Sequence, residues 1–335
     1  MGRQSNIMGI IENANLAKRL ILGHMPFIGV SYKSKEKDEE LSKRFSAENA
    51  VRNVLEAAAK IGIYRFASAT PGSSALSSAH LRILRAMAAE GQKIELLPCI
   101  EIPMKLGDGD VSAFRRWATY ANLDRKTHSK VKQRMINDPI LNFREGWKAQ
   151  FRRSKPYAEK DFWKLTVDRA LIADSLEYLA DLPISSVELG SETDFLAIAS
   201  RLDLLGELID MVRNRGFKRV LLGVHHAGVT IPMLNDHLDG FHGYVTPLNP
   251  LGVMMFPSRV SAERAVRGTE KAVYAIKPLA GGRVDPKTAF TYAFSFDVES
   301  CMLGVSSISE LKEDARAAVE VLEGNERREA RCQRK

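Results

Sequence analysis

Two carboxylates, two imidazoles and one ammonium stand where apolar runs of this sequence stop: Glu101, Glu188, His225, His226 and Lys277. Carboxylates and imidazoles can trade protons near neutral pH when their surroundings tune them. Glu101, Glu188 and His226 would also suffice as ligands for a divalent metal. The competing reading pairs both glutamates with Arg or Lys and leaves one histidine merely hydrogen-bonded. His225 and His226 are neighbours, and successive strand residues face opposite sides. At most one of them points into a site unless the strand has already ended. Lys277 has three readings: a clamp for a phosphate or carboxylate, a structural ion pair, or a desolvated amine that forms a Schiff base with a carbonyl.

These groups need elements to bring them together. Continuous apolar runs, each followed by a helix-patterned segment, predict buried parallel strands near residues 24–31, 63–69, 94–101, 184–190, 219–226, 240–247, 272–278 and 299–305. Helices are expected between them, for example where Val51, Val54, Leu55, Ala58 and Ile61 share one face before Gly62. Eight such units predict a (β/α)8 TIM barrel, whose functional groups gather at the carboxyl ends of the strands. The charged run 33–44 reads as a solvated loop, and the residues 325–335 as a flexible basic tail.

A barrel takes about 250 residues, and this chain has 335. The surplus falls mainly at 104–164, which carries no strand signal and is expected to be a helical insertion after the third strand, lying over the barrel mouth. It holds all three tryptophans, Trp117, Trp147 and Trp163, and from 111 to 164 it has 14 Lys or Arg against 5 Asp or Glu. The whole chain carries +8, so this segment accounts for the basic balance. Basic side chains among aromatics suit a lid over an anionic small molecule, with nucleic-acid binding or a homo-oligomer contact as alternatives. Three cysteines without paired spacing, no signal-peptide pattern and no run of about 20 apolar residues fit a cytoplasmic protein that does not enter the membrane.

Several strand ends resemble the aldo/keto reductase superfamily. Asn249-Pro-Leu251 is similar to its sixth-strand Asn-Pro-Leu, and Lys277-Pro-Leu-Ala-Gly-Gly282 to its seventh-strand Ser-Pro-Leu-x-x-Gly. Gly304-Val-Ser-Ser-Ile-Ser-Glu-Leu311 is similar to its eighth-strand Gly-x-Ser-Ser-x-x-x-Leu. The resemblance implies NADP, held by Asn249, Leu279, Gly281, Gly282, Arg283, Ser306 and Ser307. It stops at the catalytic positions. The family's Asp is here Ala67, no Tyr follows it, the third strand ends in Glu101 where the family has Lys, and Glu188 stands near the place of its His. The expectation is therefore a reductase-like barrel enzyme acting on an anionic small molecule with non-standard catalytic residues. The alternatives are a metal-dependent or cofactor-free lyase, isomerase or hydrolase, or a binding protein.

Overall fold

The computed structural model describes residues 18–107, 109–110, 131–144, 146–153 and 157–332. Its strands are β1 (Leu20–Leu22), β2 (Arg65–Ser68), β3 (Glu95–Ile100), β4 (Met104–Leu106), β5 (Gly109–Asp110), β6 (Leu165–Val167), β7 (Val187–Leu189), β8 (Val220–Gly223), β9 (Gly243–Pro247), β10 (Ala272–Ile276) and β11 (Ser300–Leu303). Eight of them close into a parallel barrel in the order β1-β11-β10-β9-β8-β7-β3-β2. Ile21, Ala67, Leu97, Leu221, Val245 and Tyr274, each from a different strand, fill its axis. A larger apolar layer joins the outer faces of the strands to the surrounding helices. No helix among the described residues is long and apolar enough to cross a membrane.

The first strand is not at 24–31. It is the three-residue β1, and Met25–Ile28 is a 3-10 turn with Pro26 near its start and Gly29 at φ 80° closing it. Three residues carry no readable period, so the longer apolar run beside them drew the assignment. The charged run also differs from expectation. Lys35–Phe45 is a helix capped by the Ser34 hydroxyl, with Glu36 and Asp38 in its first turn and Lys43 and Arg44 in its last. That charge order suits the helix dipole, but only Leu41 and Phe45 supply buried apolar contacts. The final helix, Ile308–Cys332, continues through much of the expected tail.

The insertion contains strands as well as helices. β4, β5 and β6 form a small antiparallel sheet in the order β5-β4-β6. Between them lie the helices Val131–Asn137 and Trp147–Arg153 and the 3-10 turn Glu159–Lys164. Residues 111–130 of the expected helical insertion lie outside the described residues.

Close strand contact fixes one residue type. A Cβ on Gly243, at the start of β9, would stand 2.1 Å from the carbonyl oxygen of Ala272 at the start of β10. A backbone oxygen within a ladder cannot swing aside. Gly243→Ala is therefore expected to cost about 1–3 kcal/mol, as overpacking does, read as a lower denaturant midpoint. An unchanged midpoint would show that the two strands part there freely.

Candidate active site

Left-handed backbone in a non-glycine residue costs about 1–3 kcal/mol and gathers at functional sites. Of the five such residues among those described, Tyr32, Met254, Lys277 and Ala280 (φ between 50° and 58°) lie in loops at the carboxyl mouth of the barrel. Within their ring the strands deliver a group of titratable side chains. β3 and β7 pair Cys99 with Glu188, and the thiol and carboxylate are hydrogen-bonded. Gly223 in β8 leaves the room for that carboxylate: a Cβ there would come within 2.6 Å of Glu188 Oε1. Lys277, just past β10, brings its Nζ to 3.3 Å from Nε2 of His225, just past β8. The same Nζ lies 5.3 Å from the Tyr32 ring centroid.

Burial sets the protonation of this group. It lowers the Lys277 ammonium to about 8, partly opposed by the negative charge of Glu188. It raises the Glu188 carboxyl to about 7, opposed by Lys277 and the Cys99 hydrogen bond. Burial and Glu188 together push the Cys99 thiol well up. Burial, helped by the Lys277 charge, takes His24 down to about 4, and burial takes the enclosed His80 to about 3. A neutral imidazole pair and a carboxyl and amine that both titrate near neutrality make a site able to move protons.

His225 is held by a residue that pattern reading passed over. The Asp194 carboxylate, 1% exposed, accepts hydrogen bonds from the backbone N–H of His225 (2.7 Å) and of His226 (3.2 Å) and from the Thr230 hydroxyl (2.7 Å). Asp194 lies in the short helix Glu192–Ile198 after β7, and its acidic character looked like an ordinary helix-start residue.

The candidate residues divide. Glu188, His225 and Lys277 meet at the mouth. His226 turns away, fully buried against the Phe256 ring at a centroid distance of 5.0 Å. Glu101 is exposed at the rim, where its N–H donates to the Thr70 hydroxyl. The metal set Glu101, Glu188 and His226 is thus not brought together, and among the described residues no group of three His, Cys, Asp or Glu side chains could hold a metal ion. β8 ends at Gly223, so strand alternation does not govern the pair: His225 turns to Lys277 in the bend after the strand, and His226 stands at the N-cap of the next helix, Ala227–His237. Asn249 is fully buried and spends its side-chain amide on the backbone N–H and C=O of Val253. Leu279 packs against the main apolar core.

The described part of the insertion roofs this mouth. Val131, Met135, Ile136, Ile140 and Leu141 pack on Val253, Met254, Phe256 and Ala280. Arg134 donates to the carbonyls of Gly252 and Pro257, each at 2.9 Å. Asp138 accepts from the N–H groups of Ile140, Leu141 and Met254. On the opposite wall Arg144 pairs with Asp38 at 3.0 Å. Of the tryptophans of the insertion, Trp147 packs edge-on against Phe143, whereas Trp163 is 76% exposed; Trp117 lies outside the described residues.

The loop after β10 and the start of the last helix are where the resemblance places the NADP pyrophosphate. Lys33 and Arg283 crowd Gly282 and Gly281: added Cβ atoms there would meet Lys33 Nζ at 2.8 Å and Arg283 Nη1 at 2.7 Å. Both glycines have positive φ, which presents their backbone openly. This half fits an anion. The other half does not fit one: the Ser306 N–H and hydroxyl both bond the Glu310 carboxylate at 2.7 Å, and Ser307 Oγ accepts from the Glu310 N–H. Arg283 itself donates to the carbonyls of Tyr32 and Ala280. A pyrophosphate spanning both halves would meet a resident carboxylate, so these residues as arranged do not fit a dinucleotide.

A cavity of about 850 Å³ opens at the opposite, amino end of the barrel, lined by charged residues including Arg65, Glu95, Arg219 and Glu299. Its ions are committed to one another: Arg219 bonds Glu299 at 2.7 Å, and Arg65 bonds Ser300 Oγ at 2.6 Å and lies 3.6 Å from Glu95. The carboxyl mouth is where the groups that titrate near neutrality lie.

A closed parallel barrel with its reactive groups at the carboxyl ends of the strands has the architecture of the (β/α)8 enzymes. Two solved structures, both described as "putative aldo-keto reductase" from Pseudomonas aeruginosa, are similar to this chain at 14% identity and a TM-score of 0.53. The likeness covers 91% of this chain and 91% and 90% of theirs. At that identity the likeness shows the fold alone, a closed (β/α)8 barrel. No family model and no curated protein matches the chain.

Proposed function

We propose that this chain is an aldo/keto-reductase-like barrel enzyme acting on a small anionic carbonyl compound at the carboxyl mouth. The observation that carries the reading is the contact between Lys277 and His225 beside Glu188. The anionic end of the substrate lies against Gly281 and Gly282, between Lys33 and Arg283. Its carbonyl faces Lys277 and His225, two groups able to polarise the oxygen. Glu188, half protonated near pH 7, takes or returns a proton. The insertion keeps water from the mouth, which strengthens each of these interactions. No step runs through NADP, because Glu310 fills half of the place its pyrophosphate would need.

Calorimetry with pyruvate and with dihydroxyacetone phosphate tests the reading. Either probe should bind, and Lys33→Ala should weaken it about fivefold, somewhat under the tenfold that 1.4 kcal/mol represents, because the ammonium is exposed. NADPH should not be oxidised by a panel of simple aldehydes. Reductase-like turnover of that panel, or no binding of either probe, would remove the proposal.

A further inference from the structure

We infer that Lys277 is an imine-forming lysine: its amine adds to the carbonyl carbon of a keto acid or a phosphorylated ketone held at the barrel mouth. This rests on the reading of the mouth as the active site and goes beyond it by naming a covalent intermediate.

The geometry separates the three readings of this side chain. A structural ion pair needs a carboxylate in contact, and among the described residues none lies within 4.0 Å of the Lys277 ammonium; its one hydrogen-bonding neighbour is His225. A clamp would gain from staying charged, but the surroundings oppose the charge. The Tyr32 ring, 5.3 Å from the ammonium, favours it weakly as a cation–π partner, but burial, with the apolar roof of the insertion over the adjoining residues Met254 and Ala280, outweighs that. The groups whose charge reaches Lys277 are Glu188, Cys99 and Asp138, and Lys277 in turn acts on His24. The carboxylates hold part of its charge and burial removes more, leaving the amine near 8. At pH 8 about half of such amines are neutral, against under ~1% for an ordinary lysine of pKa about 10.4. The side chain is nevertheless partly exposed, so a ligand can reach it. Its backbone is held at φ 55°, a strained conformation kept at the point where the amine must be aimed.

The partners for proton movement are in place. His225 Nε2, 3.3 Å away, takes a proton from the ammonium. The freed electron pair forms the C–N bond as the carbonyl π pair moves to oxygen, and that oxygen takes a proton from Glu188 or His225. The carbinolamine nitrogen gives up one proton, and its hydroxyl, protonated in turn, leaves as water. The product is a protonated imine. In sum, one carbonyl and one ammonium give one iminium and one water, with no oxidant or reductant required.

Trapping decides the matter. Full-length protein at pH 8 is incubated separately with pyruvate and with dihydroxyacetone phosphate, reduced with sodium borohydride, digested and mapped by mass spectrometry. The expected result is a reduced adduct on Lys277 with at least one probe, formed at least about tenfold faster than on any other lysine, given the roughly hundredfold larger neutral fraction. Lys277→Met and Lys277→Arg should lose that adduct. The wild-type map is decisive even if either variant folds poorly. Calorimetric binding without preferential labelling of Lys277 overturns the imine and leaves the anionic-carbonyl reading standing. If neither probe binds, both fall. A pyruvate adduct alone marks a keto acid as the substrate class; a dihydroxyacetone phosphate adduct alone marks a phosphorylated ketone.

Discussion

Asp194→Ala is expected to lower the unfolding free energy by about 3–5 kcal/mol, the largest single-residue loss at this site. Its buried carboxylate accepts three hydrogen bonds, from the N–H groups of His225 and His226 and the hydroxyl of Thr230. Hydrogen bonds to a charged acceptor are worth about 1.5–3 kcal/mol each, and buried donors left without partners carry their own desolvation cost. The charge also sits in the first turn of the helix Glu192–Ile198, where the dipole favours an anion. Denaturant titration reads the loss. Asp194→Asn keeps an acceptor oxygen and should recover part of the stability. Because Asp194 holds the backbone of His225, any folded fraction of the alanine variant should bind a carbonyl probe but label Lys277 slowly. A destabilisation under about 1 kcal/mol would mean that water takes over the three donors.

Lys277→Met should have opposite effects on stability and activity. If the lysine forms an enamine, the wild-type protein exchanges the methyl protons of pyruvate with deuterated water, and the variant should do so about 10³-fold more slowly. Stability should rise, because a desolvated amine is replaced by an apolar chain of similar length. Linkage gives the sign. The folded-state value of Lys277 is depressed from 10.5 to about 8, so between these pH values the unfolded chain binds more protons and stability climbs with pH. Below 8 the full penalty is present, roughly 3–4 kcal/mol, and that is what methionine removes. Glu188 works in the other direction. Raised from 4.5 to about 7, it lets the folded state hold an extra proton, and stability falls as pH climbs through that window. Wild-type exchange should follow a bell between limbs near 7 and 8, which belong to the interacting pair and not to either residue alone. A flat profile, or a methionine variant as active as wild type, would remove Lys277 from the chemistry.

The barrel was largely legible because buried parallel strands are continuous apolar runs. Residues 219–226, 240–247 and 272–278 enclose β8, β9 and β10. Lys277 and His225 could be singled out by their position at strand ends. Tyr32 could not, because it sits in a turn after a three-residue strand, inside a stretch read partly as strand and partly as solvated loop. Cys99 was one of three cysteines without paired spacing, and only the pairing of β3 with β7 sets it against Glu188. Asp194 was hidden because a buried acid and a capping acid look alike in one sequence. His226 and Asn249 misled for the reverse reason: polar residues at strand ends also serve packing and loop closure. The strand end after β11 carried the anion-site pattern, but Glu310 in the following turn supplies the anion itself.

A closed sheet is a hoop, and a hoop is as strong as its shortest stave. β9 and β10 are matched at five residue pairs, from Gly243 with Ala272 to Pro247 with Ile276. β1 is three residues long and meets β2 at the single pair Leu22 with Phe66. The Arg65 guanidinium, which grips the Lys18 carbonyl and Ser300 from the floor, rivets this joint from below. Breathing of the hoop is therefore expected first at the β1–β2 seam, beside the turn that carries Tyr32, and hydrogen exchange would read it as the earliest loss of protection. The wall of the mouth opposite β8 and β9 is the one that gives first, and the scaffold under Lys277 and His225 stays rigid while it does.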